Sequence, residues 1–406
     1  MGSPRRNLFA VTAASFIGFM GFTLVMPFLP LYFHQLGVES VGEVAMWSGL
    51  SLGVTPALTA LLSPFWGRLA DRYGRKIMVE RSLASFVIIM AAMAFVTRAW
   101  HVLALRAIQG LFAGYGALTL TMAADSAPEG RMAQSIGLVQ TAQRLGPALG
   151  PVFGGTLAAL VGLRHSFLVA AAFYGVSVIL VFVLYDERLV HAHAPEAKGS
   201  GGAITFRNVI AFENFLVMSA VIFAFQFVDR SFGPVLPLYV GLLGVSASRA
   251  ALISGILFSG AAGAGALGHH YCAALLRRLS PSRLIVVASI AAGTGAMAYA
   301  VAHSVWWLYV ATPLFGLAIG AGMTASYTAA AEVIPPNARG IGFGLLTTAS
   351  LVGMAASPVV AGFLGAWSLR SVFALDAVSL GALAFGVSLA ARAIRAESAV
   401  VGSGDS

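Results

Sequence analysis

The sequence contains little charge and almost no cysteine. Only 10% of its 406 residues are Asp, Glu, Lys or Arg, whereas 59% are hydrophobic. Soluble globular proteins carry about 25% charged residues, so this composition excludes an ordinary water-exposed surface. The single cysteine, Cys272, excludes an internal disulfide bond and any metal site built from several cysteines. We therefore expect lipid to surround most of the chain.

The sequence also lacks the patterns that bind nucleotides. No phosphate-binding loop of the GxxxxGKS or GxxxxGKT type occurs in it. The string GAGALG at 263–268 matches the dinucleotide fingerprint by letter, but no strand precedes it, so we interpret it as a surface for close helix packing. We expect no cofactor, no metal and no enzymatic activity. An ion gradient, rather than ATP hydrolysed by this chain, then supplies the energy.

Long apolar stretches recur along almost the entire chain. A bilayer core about 30 Å thick needs about 20 apolar residues for each spanning helix. We predict an all-α integral membrane fold with 12 spanning helices, at about 8–33, 44–66, 77–97, 100–123, 132–160, 165–185, 213–240, 247–271, 283–303, 305–331, 340–364 and 371–392.

The distribution of positive charge predicts the orientation. With the N-terminus in the cytoplasm, most Lys and Arg residues fall in cytoplasmic segments or at their edges. Three lie within predicted helices, and four lie on the outer side of the membrane: Arg98, Arg164, Arg249 and Arg370. This asymmetry predicts that both termini are cytoplasmic. Contact of the basic segments with anionic lipid explains the net charge of +9, so we expect no nucleic-acid partner.

The second half of the sequence repeats the first. Residues 27–38, PFLPLYFHQLGV, align with residues 234–245, PVLPLYVGLLGV, with 8 of 12 positions identical. The same shift brings Gly146 onto Gly353. Each copy holds an even number of predicted helices, so both copies have the same orientation in the membrane.

The repeat predicts the domain organisation. We expect an N-terminal six-helix bundle at 1–185 and a C-terminal six-helix bundle with a short cytoplasmic tail at 213–406. Residues 186–207 form the longest polar stretch and include a Gly-Ser run, and the segment 186–212 is interpreted as a cytoplasmic linker.

Three motifs in the first half carry a resemblance to a known family. The loop between predicted helices 2 and 3 reads GRLADRYGRK at 67–76, helix 4 contains RAIQG at 106–110, and helix 1 contains PFLP at 27–30. In these motifs the sequence resembles the major facilitator superfamily, and the general resemblance extends over the whole chain. It implies the major-facilitator-type fold, with two six-helix bundles related by a parallel repeat.

A fourth motif, in predicted helix 5, narrows the resemblance. Gly146, Gly150, Pro151 and Gly154 have the spacing that, within the superfamily, marks drug–proton antiporters of the twelve-helix group, including bacterial multidrug exporters. Glycines four apart let a neighbouring helix approach closely, and Pro151 removes a backbone hydrogen bond. The alternative is generic small-residue packing.

This resemblance implies a function. We expect a monomeric, proton-coupled exporter of small amphipathic organic compounds or drugs, working by alternating access in a bacterial-type inner (plasma) membrane. Its partners are then the small-molecule substrate, protons and membrane lipid. The alternative is an exporter of one specific metabolite, such as a siderophore or an amino-acid derivative.

The resemblance also implies a cytoplasmic latch. In the family, the aspartate at the position of Asp71 docks on the N-terminal end of helix 11 and pairs with the loop arginine, Arg75, and with the acid that closes helix 4, Asp125. A helix N-terminus favours an adjacent anion by about 0.3–1 kcal/mol, so such a latch opens easily. The alternative is that these are ordinary loop charges of the positive-inside type.

Proton coupling requires a group whose protonation changes during the cycle. Desolvation raises the pKa of a carboxyl towards neutrality, and Asp229 is the acid placed well inside a predicted span, whereas Asp376 and other acids fall near helix ends. We predict Asp229 as the proton carrier, with Arg106 and Arg144 tuning it or contacting the substrate. The alternatives are a fixed ion pair of Asp229 with one of these arginines, and an Arg106 side chain that reaches the interface.

A substrate cavity needs polar and aromatic walls. The residues at a suitable predicted depth are four glutamines and three aromatic residues: Gln109, Gln140, Gln143, Gln226, Tyr32, Tyr239 and Phe225.

Overall fold

The computed structural model describes residues 4–128, 131–186, 215–334 and 339–403, and their regular elements are helices. They are α1 (Pro4–Leu24), α2 (Leu29–Gln35), α3 (Val41–Tyr73), α4 (Arg75–Met93), α5 (Ala99–Phe112), α6 (Tyr115–Asp125), α7 (Met132–Val161), α8 (Leu163–Leu184), α9 (Phe215–Ser231), α10 (Leu236–Leu242), α11 (Ala247–Leu276), α12 (Pro281–Ala300), α13 (Val305–Val333), α14 (Arg339–Trp367) and α15 (Leu369–Ser403). The all-α prediction is confirmed. The predicted linker, 186–212, lies outside the described residues except for Asp186.

Among the described residues, ten helices are long and apolar enough to cross a membrane, and the bent pair α9 and α10 makes eleven if it is one span. We predicted twelve. The remaining predicted span, at 77–97, corresponds to α4, whose first two turns carry Lys76, Glu80 and Arg81. These charges lower the hydropathy of a helix that otherwise has a spanning helix's apolar composition.

Three predicted spans contain breaks. The span predicted at 8–33 is divided into α1 and α2 by the turn before Pro30, and the span at 213–240 is divided into α9 and α10, which meet at 47°. Proline lacks the N–H that an uninterrupted helix needs, which explains why both short helices begin with a Leu-Pro step. The span at 100–123 is interrupted at Ala113 and Gly114, where Gly114 has φ of 120°, a conformation that favours glycine.

The described chain groups into two compact units. Of the described residues, the first comprises 4–128, 131–186, 233–259 and 361–366, and the second comprises 215–232, 260–334, 339–360 and 367–403. In the first unit α1 packs on α7 and α8, α3 on α5, and α4 on α8. In the second unit α12 packs on α13 and α15, and α9 packs on both of these as well.

The motif glycines explain how closely α1 and α7 approach. A Cβ atom added to Gly146 would lie 2.6 Å from the carbonyl oxygen of Phe16 and 2.8 Å from the nitrogen of Met20. Gly150 and Gly154 face the backbone of α1 in the same way, one and two turns further along. Any side chain on this face would separate the two backbones.

The second unit repeats this contact between α9 and α14. A Cβ atom on Gly353 would lie 2.7 Å from the carbonyl oxygen of Phe223 and 3.3 Å from the nitrogen of Phe227. Phe223 and Phe227 are the repeat equivalents of Phe16 and Met20, at the same shift that aligns Gly353 with Gly146. The sequence repeat is therefore also a repeat of helix contacts.

Candidate functional site

A buried cation lies in the core of the first unit. Arg106 on α5 is 1% exposed and donates from Nη1 to Oε1 of Gln109, one turn later, at 2.8 Å. Its guanidinium carbon lies 5.9 Å from the ring centroid of Phe22. Among the described residues Arg106 forms no ion pair, and both its Nε and the Nε2 of Gln109 are buried without a hydrogen-bond partner. The side chain is thus enclosed by protein and does not reach an interface.

Aromatic rings of α4, α6 and α8 pack against one another in the same unit. Tyr174 on α8 is fully buried, its ring contacts Phe86 on α4 at 5.2 Å between centroids, and its hydroxyl has no partner in the described part of the chain. Phe86 also contacts Tyr115 on α6, at 5.9 Å. An intramembrane charge with unpartnered hydrogen-bonding groups around it is costly to retain for packing alone, so the Arg106–Gln109 pair is a functional candidate.

The predicted polar residues of α7 lie in different surroundings. Gln143 donates to the carbonyl oxygen of Gly116 at 2.9 Å and to the Thr119 hydroxyl at 3.0 Å, which ties α7 to α6. Arg144 and Gln140 have exposed side chains. Arg144 has no ion-pair partner among the described residues, and it does not join the Arg106 cluster.

Two side chains cap the break between α5 and α6. The indole Nε1 of Trp66 donates to the carbonyl oxygen of Leu111 at 2.7 Å, and Nη2 of Arg81 donates to that of Phe112 at 3.1 Å. The Arg81 guanidinium carbon lies 3.4 Å from the Trp66 ring centroid. These bonds replace the hydrogen bonds that the interrupted helix cannot make. The sequence contained no signal for this arrangement other than the glycine at the break.

The loop motif brings two of its three predicted latch residues together. Arg75, at the start of α4, forms an ion pair with Asp125, at the end of α6, and both side chains are partly buried. Asp71 is exposed and forms no ion pair among the described residues. The predicted docking of Asp71 on helix 11 is not tested and stays a prediction.

The predicted proton carrier lies near the end of α9 in the second unit. Asp229 Oδ2 is 3.2 Å from Nε of the adjacent Arg230, and the Asp229 side chain is 37% exposed. Gln226, one turn earlier, accepts a hydrogen bond from the Ser350 hydroxyl at 3.3 Å. The structure therefore places an accessible, paired carboxylate at Asp229, whose role stays a prediction.

A second acid, Asp376, is far more enclosed. It lies on α15, is fully buried, and its Oδ2 is 2.5 Å from the hydroxyl of Ser231, the last residue of α9. Its Oδ1 has no partner among the described atoms. We placed Asp376 near a helix end and did not select it. Sequence position alone did not reveal that this side chain is buried against the end of α9.

The three predicted aromatic residues are all fully buried. Tyr32 donates to the carbonyl oxygen of Met93 at 2.7 Å, which fastens α2 to α4. Phe225 packs against Gly322 in the second unit, and Tyr239 lies in the core of the first. In this conformation they act as packing residues, and their predicted role in a substrate cavity is not tested.

A cavity of about 470 Å³ lies in the first unit among α2, the junction of α7 and α8, and the start of α11. Its walls include His34, Gln35, Ala158 and Ala247. None of the residues predicted to form the substrate cavity lines it.

The described residues form long apolar helices that bury ionisable side chains such as Arg106 and Asp376, which is the architecture of a multi-pass membrane protein. Residues 11–304 and 283–403 match the sequence profile of the Major Facilitator Superfamily. The chain belongs to the major facilitator superfamily.

Curated relatives and solved structures agree with this assignment. The chain is 33% identical over 325 residues to multidrug resistance protein MdtG from Salmonella paratyphi A and, equally, to MdtG from Salmonella paratyphi C, covering 80% of each chain. A bacterial homologue of the human lysosomal transporter Spinster, in an inward-facing and occupied conformation, superposes with a TM-score of 0.77 at 19% identity, covering 95% of this chain and 96% of that one. The nucleoside transporter NupG superposes with a TM-score of 0.70 at 14% identity, covering 94% and 99%.

Proposed function

We propose that this protein is a proton-coupled exporter of small amphipathic organic compounds. The observation that carries the proposal is the Arg106–Gln109 pair, a buried cation with open hydrogen-bonding groups inside a transporter fold. The name of the MdtG relatives supports multidrug export, as do the close α1–α7 contacts of the glycine motif. Asp229, with its accessible carboxylate, is the proposed proton carrier, and Arg106 and Arg144 are proposed to tune coupling or contact the substrate.

The proposed orientation has both termini in the cytoplasm of a bacterial-type inner membrane. Within the first unit, segments of both sequence repeats meet: Gly42 faces the carbonyl oxygen of Ala366, and Gly362 faces that of Ala45. In the proposed orientation these segments are the outer ends of their helices. Contacts of this kind between the two repeats are ones that alternating access requires to form and break.

The Arg75–Asp125 ion pair is proposed to belong to a cytoplasmic latch. Both side chains are only partly buried, so the pair is weak, about 0–1 kcal/mol. A weak pair suits a contact that must form and break in every cycle.

Transport into proteoliposomes tests the proposal. Purified full-length protein is reconstituted, a pH gradient is imposed, and uphill movement of ethidium, Hoechst 33342 and tetraphenylphosphonium is followed. We expect the gradient to drive uphill movement of these probes. We expect Asp229→Asn to abolish the uphill component and retain downhill movement, and Glu39→Gln, an exposed acid outside the helices, to behave as wild type.

Two outcomes count against the proposal. If wild-type protein moves none of the probes in response to the gradient, proton-driven export of amphipathic compounds is wrong. If Asp229→Asn still moves them uphill, the assignment of the proton carrier is wrong.

A further inference from the structure

The carboxyl group of Asp376 is sealed inside the second unit. The residue lies two turns into α15, about 10 Å from the start of that helix. It is fully buried between helices, and the described structure gives its carboxyl one partner, the Ser231 hydroxyl. A carboxylate without a cation or several donors is very unfavourable in such surroundings.

The hydrogen-bonding geometry of Ser231 is consistent with a protonated Asp376. Its Oγ lies 2.9 Å from the carbonyl oxygen of Val228 and 2.5 Å from Oδ2 of Asp376. The hydroxyl has one hydrogen, and a carbonyl oxygen can only accept. If Ser231 donates to Val228, the contact with Asp376 is a full hydrogen bond only when the Asp376 carboxyl is protonated and donates to Ser231.

The charged and titratable groups on the neighbouring helices do not change this conclusion. On α9, Asp229 and Arg230 pair with each other. On α12, Arg283 is exposed, and the Tyr299 hydroxyl contacts the Thr312 hydroxyl.

The helix that carries Asp376 adds one further group. On α15 itself, Arg370 donates to the carbonyl oxygen of Ala302 at 3.1 Å. Among the described side chains, none of these groups forms an ion pair with Asp376.

We propose that Asp376 is a proton-binding site of the transporter, occupied by a proton in this conformation and linked to α9 through Ser231. The inference rests on the proposed function, because a buried proton site serves a proton-driven cycle. Release transfers the proton from Asp376 Oδ2 to water and leaves a carboxylate. The Ser231 hydroxyl then turns from Val228 to that carboxylate, and water must enter between α9 and α15.

This link assigns different tasks to Asp229 and Asp376. Asp229 is accessible and pairs with Arg230. Asp376 can lose its proton only if the helices around it separate. Phe232, which follows Ser231, packs between Phe315 and Phe373, so movement at Ser231 is transmitted to α13 and α15.

Infrared spectroscopy of the full-length protein in liposomes tests the site without any substrate. Protonated carboxylic acids have a carbonyl stretching band that carboxylates lack. At pH 7.5 we expect this band in wild type, its loss in Asp376→Asn and its retention in Asp229→Asn. Ser231→Ala should shift the band without removing it, because the acid loses its hydrogen bond and keeps its proton. Circular dichroism verifies that each variant is folded.

Two results overturn the proposal. In the first, the carbonyl stretching band of protonated carboxylic acids at pH 7.5 is the same in wild type and in Asp376→Asn. In the second, this band disappears in Asp229→Asn instead. If Asp376→Asn does not fold, Ser231→Ala provides the test. If the carbonyl stretching band of the protonated acid is not shifted in this variant, the proposal is overturned. Because this measurement needs no transport, failure of proton-driven export in proteoliposomes remains a separate result. A protein with the band but without gradient-driven transport would retain the site and lose the proposed function.

Discussion

The two units have the same kind of helix contact and different buried ionisable groups. Gly146 and Gly353 place α7 on α1 and α14 on α9 with equivalent backbone atoms. The first unit, however, buries Arg106 without a carboxylate, and the second buries Asp376 without a cation, among the residues described. The repeat therefore determines how the helices pack. The buried ionisable groups are not part of the repeat and differ between the two units.

The largest expected effect concerns the shared contact. Gly146→Ala and Gly353→Ala should each lower the free energy of unfolding by about 1–3 kcal/mol, because the new Cβ meets backbone atoms that cannot move aside. Thermal unfolding of the purified protein measures both. Gly137→Ala and Gly344→Ala are matched controls, since nothing lies within 4 Å of either position, and they should be neutral or stabilising. Unequal losses at Gly146 and Gly353 would show that the two contacts are not energetically equivalent.

A smaller effect is expected at the buried cation. Arg106→Gln should reduce gradient-driven transport at least about tenfold, equivalent to about 1.4 kcal/mol, and should leave thermal stability unchanged or higher because an unpaired buried charge is removed. Arg106→Lys should recover part of the activity. Transport rates and melting temperatures are measured on the same preparations. Loss of stability together with transport would instead indicate that Arg106 only holds the first unit together.

The smallest effect is expected at the loop ion pair. Arg75→Ala or Asp125→Ala should cost at most about 1 kcal/mol of stability, since both side chains are partly exposed. The charge-reversed double variant, Arg75→Asp with Asp125→Arg, should restore the stability that each single charge reversal loses. Hydrogen exchange at the start of α4 and the end of α6 follows the pair directly. No restoration would mean that the contact is incidental to the latch.

Much of the fold was predictable, because the apolar composition and the sequence repeat extend over many residues. The apolar segments, the repeat and the close approach allowed by Gly146 all follow from patterns that extend along the chain. The helix breaks were not predicted, since hydropathy averaged over a span does not distinguish one helix from two. For α4, averaging has the opposite effect and hides a helix. A few charges at one end lower the mean hydropathy of a helix that is otherwise apolar.

The candidate site was predictable only in part. Arg106 and Gln109 belong to a motif, and the structure brings them into contact. Asp376 and Ser231 are distant in the sequence and belong to no shared motif, so only the packing of α9 against α15 brings them together. Asp229 lies further from the predicted helix ends than Asp376, so the sequence favours Asp229. In the structure, however, the Asp229 side chain is accessible and the Asp376 side chain is enclosed. Depth along a helix does not determine which face of the helix is covered.

The capped break between α5 and α6 has a consequence for electrical insulation. Without Trp66 and Arg81, the carbonyl oxygens of Leu111 and Phe112 would need water as their partner, in a part of the chain that lies within a predicted span. A file of water at such a place conducts protons. Because side chains supply the hydrogen bonds, these two carbonyl groups of the interrupted helix do not need water, which removes one route for proton leakage.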